Sequence, residues 1–486
     1  MKLTMLGKIA LGSSVGLAAL MAAPVAALAA PAGINVPCTD QAALVGAINA
    51  AKAAGGGTIN LAQGCHYALG PVDNSGNGLP AVMKPITVNG NGATIDGTNS
   101  VRVLEVDGPS GNLSLQNLTI TGGSADIGGG IENVGGTVTL NHSQVTGNTA
   151  ALAGGGIASA TFDPASVAKL TLNNSAVTGN SQTAPPPDGL GGGGIVNLLG
   201  TVTLNSSQVS NNSAQGPFGG GIANGDYLNF SGTSSFLTLN NSQVDGNTAP
   251  IAGGGGIQNL LGTATLNSSQ VDGNSSLNGG GISSGPGNGG AQGPATSHLI
   301  LSQSEVNGNT ATAPVPPPGM GAPPIAAGGI ANGGNATLNS TKVDNNAASA
   351  TSGAGIVNHG TMTLNKSEVN GNNAAGTGVD ASGGGIINAQ DPPGTVPTTL
   401  TVNNSQVNNN HAGGEGGGIA NGSTTPGPPP LFGGTVTLNH SQVTGNTAVN
   451  GGGIFNNHGT VTLSATSVTG NTPNNCAPGS VPGCTG

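Results

Sequence analysis

Asp245 and Asp272 stand in the same sequence context, S-Q-V-D-G-N, 27 residues apart. Carboxylates held side by side can ligate a cation, and across a cleft they can share acid and base roles in glycoside hydrolysis. The sequence presents these two as its only stacked acid pair and as the candidate metal ligands. A polysaccharide lyase needs more, a carboxylate cluster for Ca²⁺ and a basic residue to abstract a proton. Arg102 is the single arginine, and Lys52, Lys84, Lys169, Lys342 and Lys366 are scattered along the chain. His142, His359, His440 and His458 lie at apparent turns without acidic neighbours. No nucleophile or phosphate motif occurs, and no cofactor is indicated. The glycine runs recur at fixed places and are not nucleotide loops.

A second set of residues could act as a surface. Thr361 and Thr363, Thr399 and Thr401, Thr435 and Thr437, and Thr460 and Thr462 form four successive T-x-T pairs. Lys169, Phe236, His298, Ile300 and Asn335 interrupt the same pattern earlier in the chain. Threonine is also a good strand residue, so the pattern is expected of a sheet with one solvated face.

What positions these residues is a unit repeated eleven times, L-N-x-S-x-V-x-G-N followed by G-G-I-x-N. Leu140 marks the first copy and Leu463 the last. Each marker is followed five residues later by a valine, and three residues beyond that by an asparagine. Marker spacing runs from 25 to 38 residues, yet the additions fall in only two places. One lies between the V-x-G-N asparagine and the glycines (184–190, 313–326). The other lies between I-x-N and the next marker (159–168, 225–235, 285–297, 422–432). Stacked coils tolerate insertions at fixed corners, because each turn contacts only its neighbours.

Alternation in T-V-T-L-N-x-S-x-V predicts a half-buried strand with Val138, Leu140, Ser143 and Val145 inward, turned at a two-residue corner of Asn141 and His142. The glycine-rich G-G-I-x-N stretch supplies a third strand, its glycines permitting close backbone approach. The expected fold is all-β: a right-handed, three-sheet parallel β-helix of about twelve or more coils, with the hand taken from the crossover rule. Stacking turns each aligned position into a ladder. Asn148, Asn180, Asn212, Asn247, Asn274 and Asn309, continuing to Asn471, form one; the corner asparagines from Asn141 form another. Their amides are expected to bond to one another and to turn backbone. Glu305, Lys342 and Glu368 should form an alternating charge ladder.

The ends need covers. A helix over 39–54, with Thr39 as N-cap, Leu44, Ala47, Ile48 and Ala51 on one face and Gly55 ending it, is expected to plug the first coil. Four cysteines in a rod with distant ends leave one pairing within bonding reach, Cys38 with Cys65 and Cys476 with Cys484. Lys2 and Lys8, the apolar stretch 9–27 and Ala27-Leu28-Ala29 read as a secretory signal cut after Ala29, with an uncleaved anchor as the alternative. The expected organisation is a signal at 1–29, a cap segment at 30–56, the β-helix at 57–472 and a disulfide-closed tail at 473–486. A formal charge of -10 with 5% charged residues disfavours nucleic acid as a partner.

The G-G-G-I-x-N and V-x-G-N pairs resemble the repeats of polymorphic outer-membrane proteins. More closely, they resemble secreted bacterial right-handed β-helix repeat proteins of the pectate-lyase-like superfold. The resemblance spans about 38–484 and implies the fold. The outer-membrane repeats carry an aromatic where this chain has Val145. The T-x-T pattern resembles the ice-binding face of some β-helical antifreeze proteins. Function is therefore expected to be that of a non-enzymatic exported β-helix at or outside the cell surface, monomeric, without a membrane span in the mature chain. Its expected partner is an extracellular glycan or a surface protein. A polysaccharide-binding or polysaccharide-degrading protein is the alternative, and ice binding the second alternative.

Overall fold

A computed structural model describes residues 33–485, apart from 73–75, 162–165, 187, 227–234, 286–296, 313–325, 350–352, 377–380, 391–396, 425–430 and 479–480. The signal segment and much of the insertions at 159–168, 225–235, 285–297, 313–326 and 422–432 lie outside the described residues. The described chain is a parallel β-helix of three sheets with 27, 14 and 10 strands and one α-helix.

One coil illustrates the rest: strands Thr137–Asn141, Gln144–Thr146, Thr149–Ala153 and Ile157–Ala160 follow one another. The coil thus carries four short strands where three were expected. The first two belong to the large sheet, folded at a corner. In the opening coils the long strands Pro85–Asp96 and Asn112–Thr121 continue across that corner, with Asn91 (φ 53°) and Asn117 (φ 49°) left-handed at it. Coils align residue for residue, as in Leu140↔Leu172↔Leu204 and Val145↔Val177↔Val209. Val138, Leu140, Ser143 and Val145 all face the interior, as the alternation predicts. Each buried Val, Leu or Ile contributes roughly 1.5–3 kcal/mol of apolar transfer, and their columns form one continuous core.

The corner lies one residue later than the sequence suggests. Asn141 ends its strand; His142 takes the left-handed conformation (φ 49°), as do Asn174, Ser206, Asn241 and their counterparts to Ala465. Asn141 joins the lateral amide ladder expected of its series: Asn173 Nδ2 donates to Asn141 Oδ1 at 2.9 Å, and Asn205 to Asn173 at 2.9 Å. Ser143 closes the corner, its N–H donating to Ser175 Oγ at 3.1 Å in the next coil. A second left-handed position precedes each ladder asparagine. It is Gly147 in the first copy, and Asn211, Asn345 or Asn409 where glycine is missing.

The interior asparagine ladder forms as expected. Asn274 Oδ1 accepts from both the N–H and the Nδ2 of Asn247 at 2.9 Å, while Asn274 Nδ2 donates to Val244 O at 2.8 Å and Asn309 Oδ1 at 2.9 Å. Asn148, Asn180 and Asn212 repeat the pattern. A further ladder, not anticipated, runs through the asparagine of I-x-N: Asn197 donates to Asn224 at 2.7 Å and Asn224 to Asn259 at 2.8 Å. The G-G pair is required by close stacking, since a Cβ on Gly155 would lie 2.3 Å from Ser181 O of the next coil.

Both ends are closed. The helix spans Gln41–Ala53 and buries Leu44, Ala47, Ile48 and Ala51 against the first coil, but Asp40 is its N-cap, accepting from Ala43 N at 2.8 Å. Thr39 is left-handed (φ 61°) and turns the chain into the helix. A strand ahead of it, Ile34–Val36, pairs with Gly57–Leu61 as the first rung. The disulfides are Cys38–Cys65 and Cys476–Cys484. At the far end Asn475 stands in for a missing coil: its Oδ1 accepts from Asn471 N at 3.2 Å and Asn471 Nδ2 at 3.1 Å.

Candidate functional site

Asp245 and Asp272 are register partners on the outer side of the second strand. Their column continues through Asn307, Asp344, Asn370 and Asn408. Most of these side chains do one job: an oxygen accepts the backbone N–H of the next coil. Asp272 Oδ1 accepts from Asn307 N at 3.1 Å, Asn307 Oδ1 from Asp344 N at 3.2 Å, and Asp344 Oδ1 from Asn370 N at 2.9 Å. Asp245 Oδ2 accepts from Gln208 Nε2 at 3.0 Å, while its Oδ1 is buried without a partner. Burial pushes the carboxyls of Asp245, Asp272 and Asp344 above the usual range; the charges of Glu305 and Asp245 add to the effect at Asp272. Among the described residues no group of three or more His, Cys, Asp or Glu is arranged to hold a metal. The neighbouring Glu305–Lys342–Glu368 column is in register, and Lys342 Nζ lies 3.8 Å from Glu305 Oε1. At that exposure the pair is worth about 0–1 kcal/mol.

A second stacked acid pair escaped the sequence reading. Glu105 and Glu132 are register partners in the opening coils, clamped by Arg102. Arg102 Nη2 lies 2.6 Å from Glu132 Oε2 and Nη1 lies 3.2 Å from Glu105 Oε2; Nη1 also donates to Asn77 Oδ1 at 2.8 Å. Burial raises the Glu132 pKa, opposed by Arg102 and assisted by Glu105 and Asp107. The single arginine, with its side chain 12% exposed, is thereby committed to a structural clamp. The signal was present in Leu104-Glu105-Val106 and Ile131-Glu132-Asn133, but the earlier coil lies outside the L-N-x-S frame.

The threonine pairs form two files in register: Thr361↔Thr399↔Thr435↔Thr460 and Thr363↔Thr401↔Thr437↔Thr462. All eight are exposed or half-buried. Phe236, 47% exposed, and Ile300, 38% exposed, occupy the same files in earlier coils. The outer side of the 14-stranded sheet differs. Its outward residues Ala158, Val196, Ala223, Val357, Ile387 and Ala420 are buried, with Phe218 and Leu190 packed over one group and Leu431 over the other.

A cleft of ≈ 500 Å³ lies along the left-handed corner of the first four repeats. Its floor and walls are the exposed corner residues His142, Asn174 and Asn241 and the outward residues Gln144, Ala176 and Gln208 that begin the next strand. Elsewhere in that outward column a long side chain is the rule, from Gln243 through Glu368 to Gln442. Ala176 therefore leaves a notch between Gln144 and Gln208.

Among known proteins no family model, curated protein or solved structure matches this chain.

Proposed function

We propose that this chain is a non-enzymatic exported binding rod that acts at or outside the cell surface and engages an extracellular glycan or surface protein through the bare outer side of its 27-stranded sheet. One observation carries the reading: outward threonine, glutamine and asparagine columns stay accessible and in register from coil to coil, while outward residues of the 14-stranded sheet such as Val196 and Ile387 are buried, with Leu190, Phe218 and Leu431 packed against them. A rigid array of uncharged donors and acceptors offers many weak contacts to an extended partner, which gain through multivalency. The resemblance of the repeat to secreted β-helix proteins of the pectate-lyase-like superfold and the leader-like segment at 1–29 support the placement outside the cell.

The test is a glycan-array and matrix-protein screen on the mature chain, with a parallel assay for polysaccharide cleavage. Retention on a glycan or matrix surface without turnover is the expected result; cleavage of any polysaccharide overturns the non-enzymatic reading. Ice binding is a second reading, favoured by the four clean threonine coils at 361–462. Absence of thermal hysteresis and of shaped ice crystals excludes it.

A further inference from the structure

We propose that the corner cleft around Ala176 is a subsite for a neutral, hydroxyl-rich linear glycan, seated with its chain along the rod axis. The assignment rests on the binding-rod reading above and names where and what the rod binds.

The chemistry of the lining selects the ligand. Gln144, Asn174 and Asn241 present carboxamides, each both donor and acceptor, which matches hydroxyls that are also both, while Gln208, whose Nε2 donates to Asp245 Oδ2 at 3.0 Å, offers its carbonyl oxygen. The lining holds no carboxylate or ammonium, and His142 is its one titratable side chain. In the same outward column the charges begin only at Glu305, Lys342 and Glu368, beyond the cleft. A charged ligand would have reason to sit there, whereas a neutral one gains most from the amide stretch.

Geometry sets the orientation. Gln144 and Gln208 flank Ala176 in strict register, so they stand about twice the ~4.8 Å strand spacing apart. That gap admits one sugar ring between two amides, and pyranose units recur along an extended glycan at a spacing comparable to the coil rise. Corner residues His142, Asn174, Ser206 and Asn241 then border successive units.

The notch can be filled without disturbing the fold, because Gln occupies the equivalent position in the flanking coils. Ala176→Gln and the conservative Ala176→Ser are compared with the unaltered full chain, using titration calorimetry with cello-, manno- and xylo-oligosaccharides and with oligogalacturonate as the charged probe. Unchanged thermal unfolding of Ala176→Gln verifies the fold. The expected result is binding of at least one neutral series, weakened at least about tenfold by Ala176→Gln and retained by Ala176→Ser. Equal affinity in Ala176→Gln, preference for oligogalacturonate, or no binding of any neutral glycan overturns the assignment. Failure of the subsite alone is recognisable, since the array and matrix screen then still registers a partner; if that screen is silent as well, the binding-rod reading falls with it.

Discussion

The two large sheets share an interior but part company on their outer sides. Inward, both present fully buried aliphatic columns, Leu140 and Val145 on one and Ile157 on the other. Outward, the 27-stranded sheet presents Thr361, Thr399 and Gln144 to solvent, whereas the 14-stranded sheet places Val196, Ile387 and Phe455 where almost no surface remains. The repeat sets what faces in on both sheets. What faces out on one of them is covered by side chains from outside its strands: Leu190 and Leu431 from insertions and Phe218 from the stretch before the glycines. One side is thus a second, shallow core, and the other faces solvent.

Both sides adjoin the same interior asparagine ladder, so the largest effect is expected there. Asn274→Ala removes the acceptor for two donors of Asn247 and the donor to Val244 O, all buried. At about 1–3 kcal/mol per unsatisfied buried group, the loss should reach about 3 kcal/mol or more in chemical denaturation. A loss below about 1 kcal/mol would show that the amide column is dispensable and that the sheets are held by apolar contacts alone.

The contrast between the outer sides comes next. Ile387→Ala, on the covered side, should cost about 2 kcal/mol or more, the range of buried aliphatic truncations. Thr401→Ala, at an outward position on the bare side, should stay within about 0.5 kcal/mol. Equal costs at the two positions would erase the distinction. An effect between these two is expected at Glu415, only 6% exposed, whose carboxylate accepts from Thr424 N at 3.0 Å and from Thr424 Oγ1 at 2.5 Å. Glu415→Ala should cost about 1–2 kcal/mol and open the segment after Asn421 to limited proteolysis. A protease pattern identical to the unaltered chain would mean that Glu415 does not hold the cover in place.

Much of this was legible because a repeat reports the same fact many times. The inward columns, the disulfide pairing, the interior asparagine ladder and the face of the capping helix could all be read from spacing. The strand at Thr149–Ala153 could not, because its equivalents shrink to two residues such as Ser181–Gln182, too short to show alternation. The left-handed corner was misplaced by one residue because Asn141 has the better turn chemistry, yet its amide is used for lateral bonding and the corner falls to whichever residue follows. Burial of Ala158 and Ile387 was invisible, since it depends on side chains such as Phe218, Leu190 and Leu431 that differ from coil to coil. For the candidate site, the Asp245–Asp272 stacking was readable but its use was not. That column mixes Asp with Asn because either oxygen can accept the next backbone N–H.

That equivalence gives the smallest and most discriminating prediction. Burial raises the Asp272 and Asp344 pKa values above the ordinary 3.8, so the native state holds these protons more tightly than the unfolded chain. Stability should therefore fall as pH rises from 3.8 through the raised native values, and the full cost should persist at neutral pH. An amide keeps the acceptor and removes the charge, as Asn307 and Asn370 already do. Asp272→Asn and Asp344→Asn should each raise stability by up to about 0.5 kcal/mol at neutral pH, with the gain vanishing below the ordinary carboxylate pKa. Denaturation at the two pH values, with and without Ca²⁺, reads the outcome. If Ca²⁺ stabilises the unaltered chain and Asp272→Asn abolishes the effect, the column is a cation site and the bare side carries a charged function. If the gain appears irrespective of Ca²⁺, the aspartates are backbone acceptors that happen to be charged, and what the bare side offers a partner is its uncharged amides and hydroxyls.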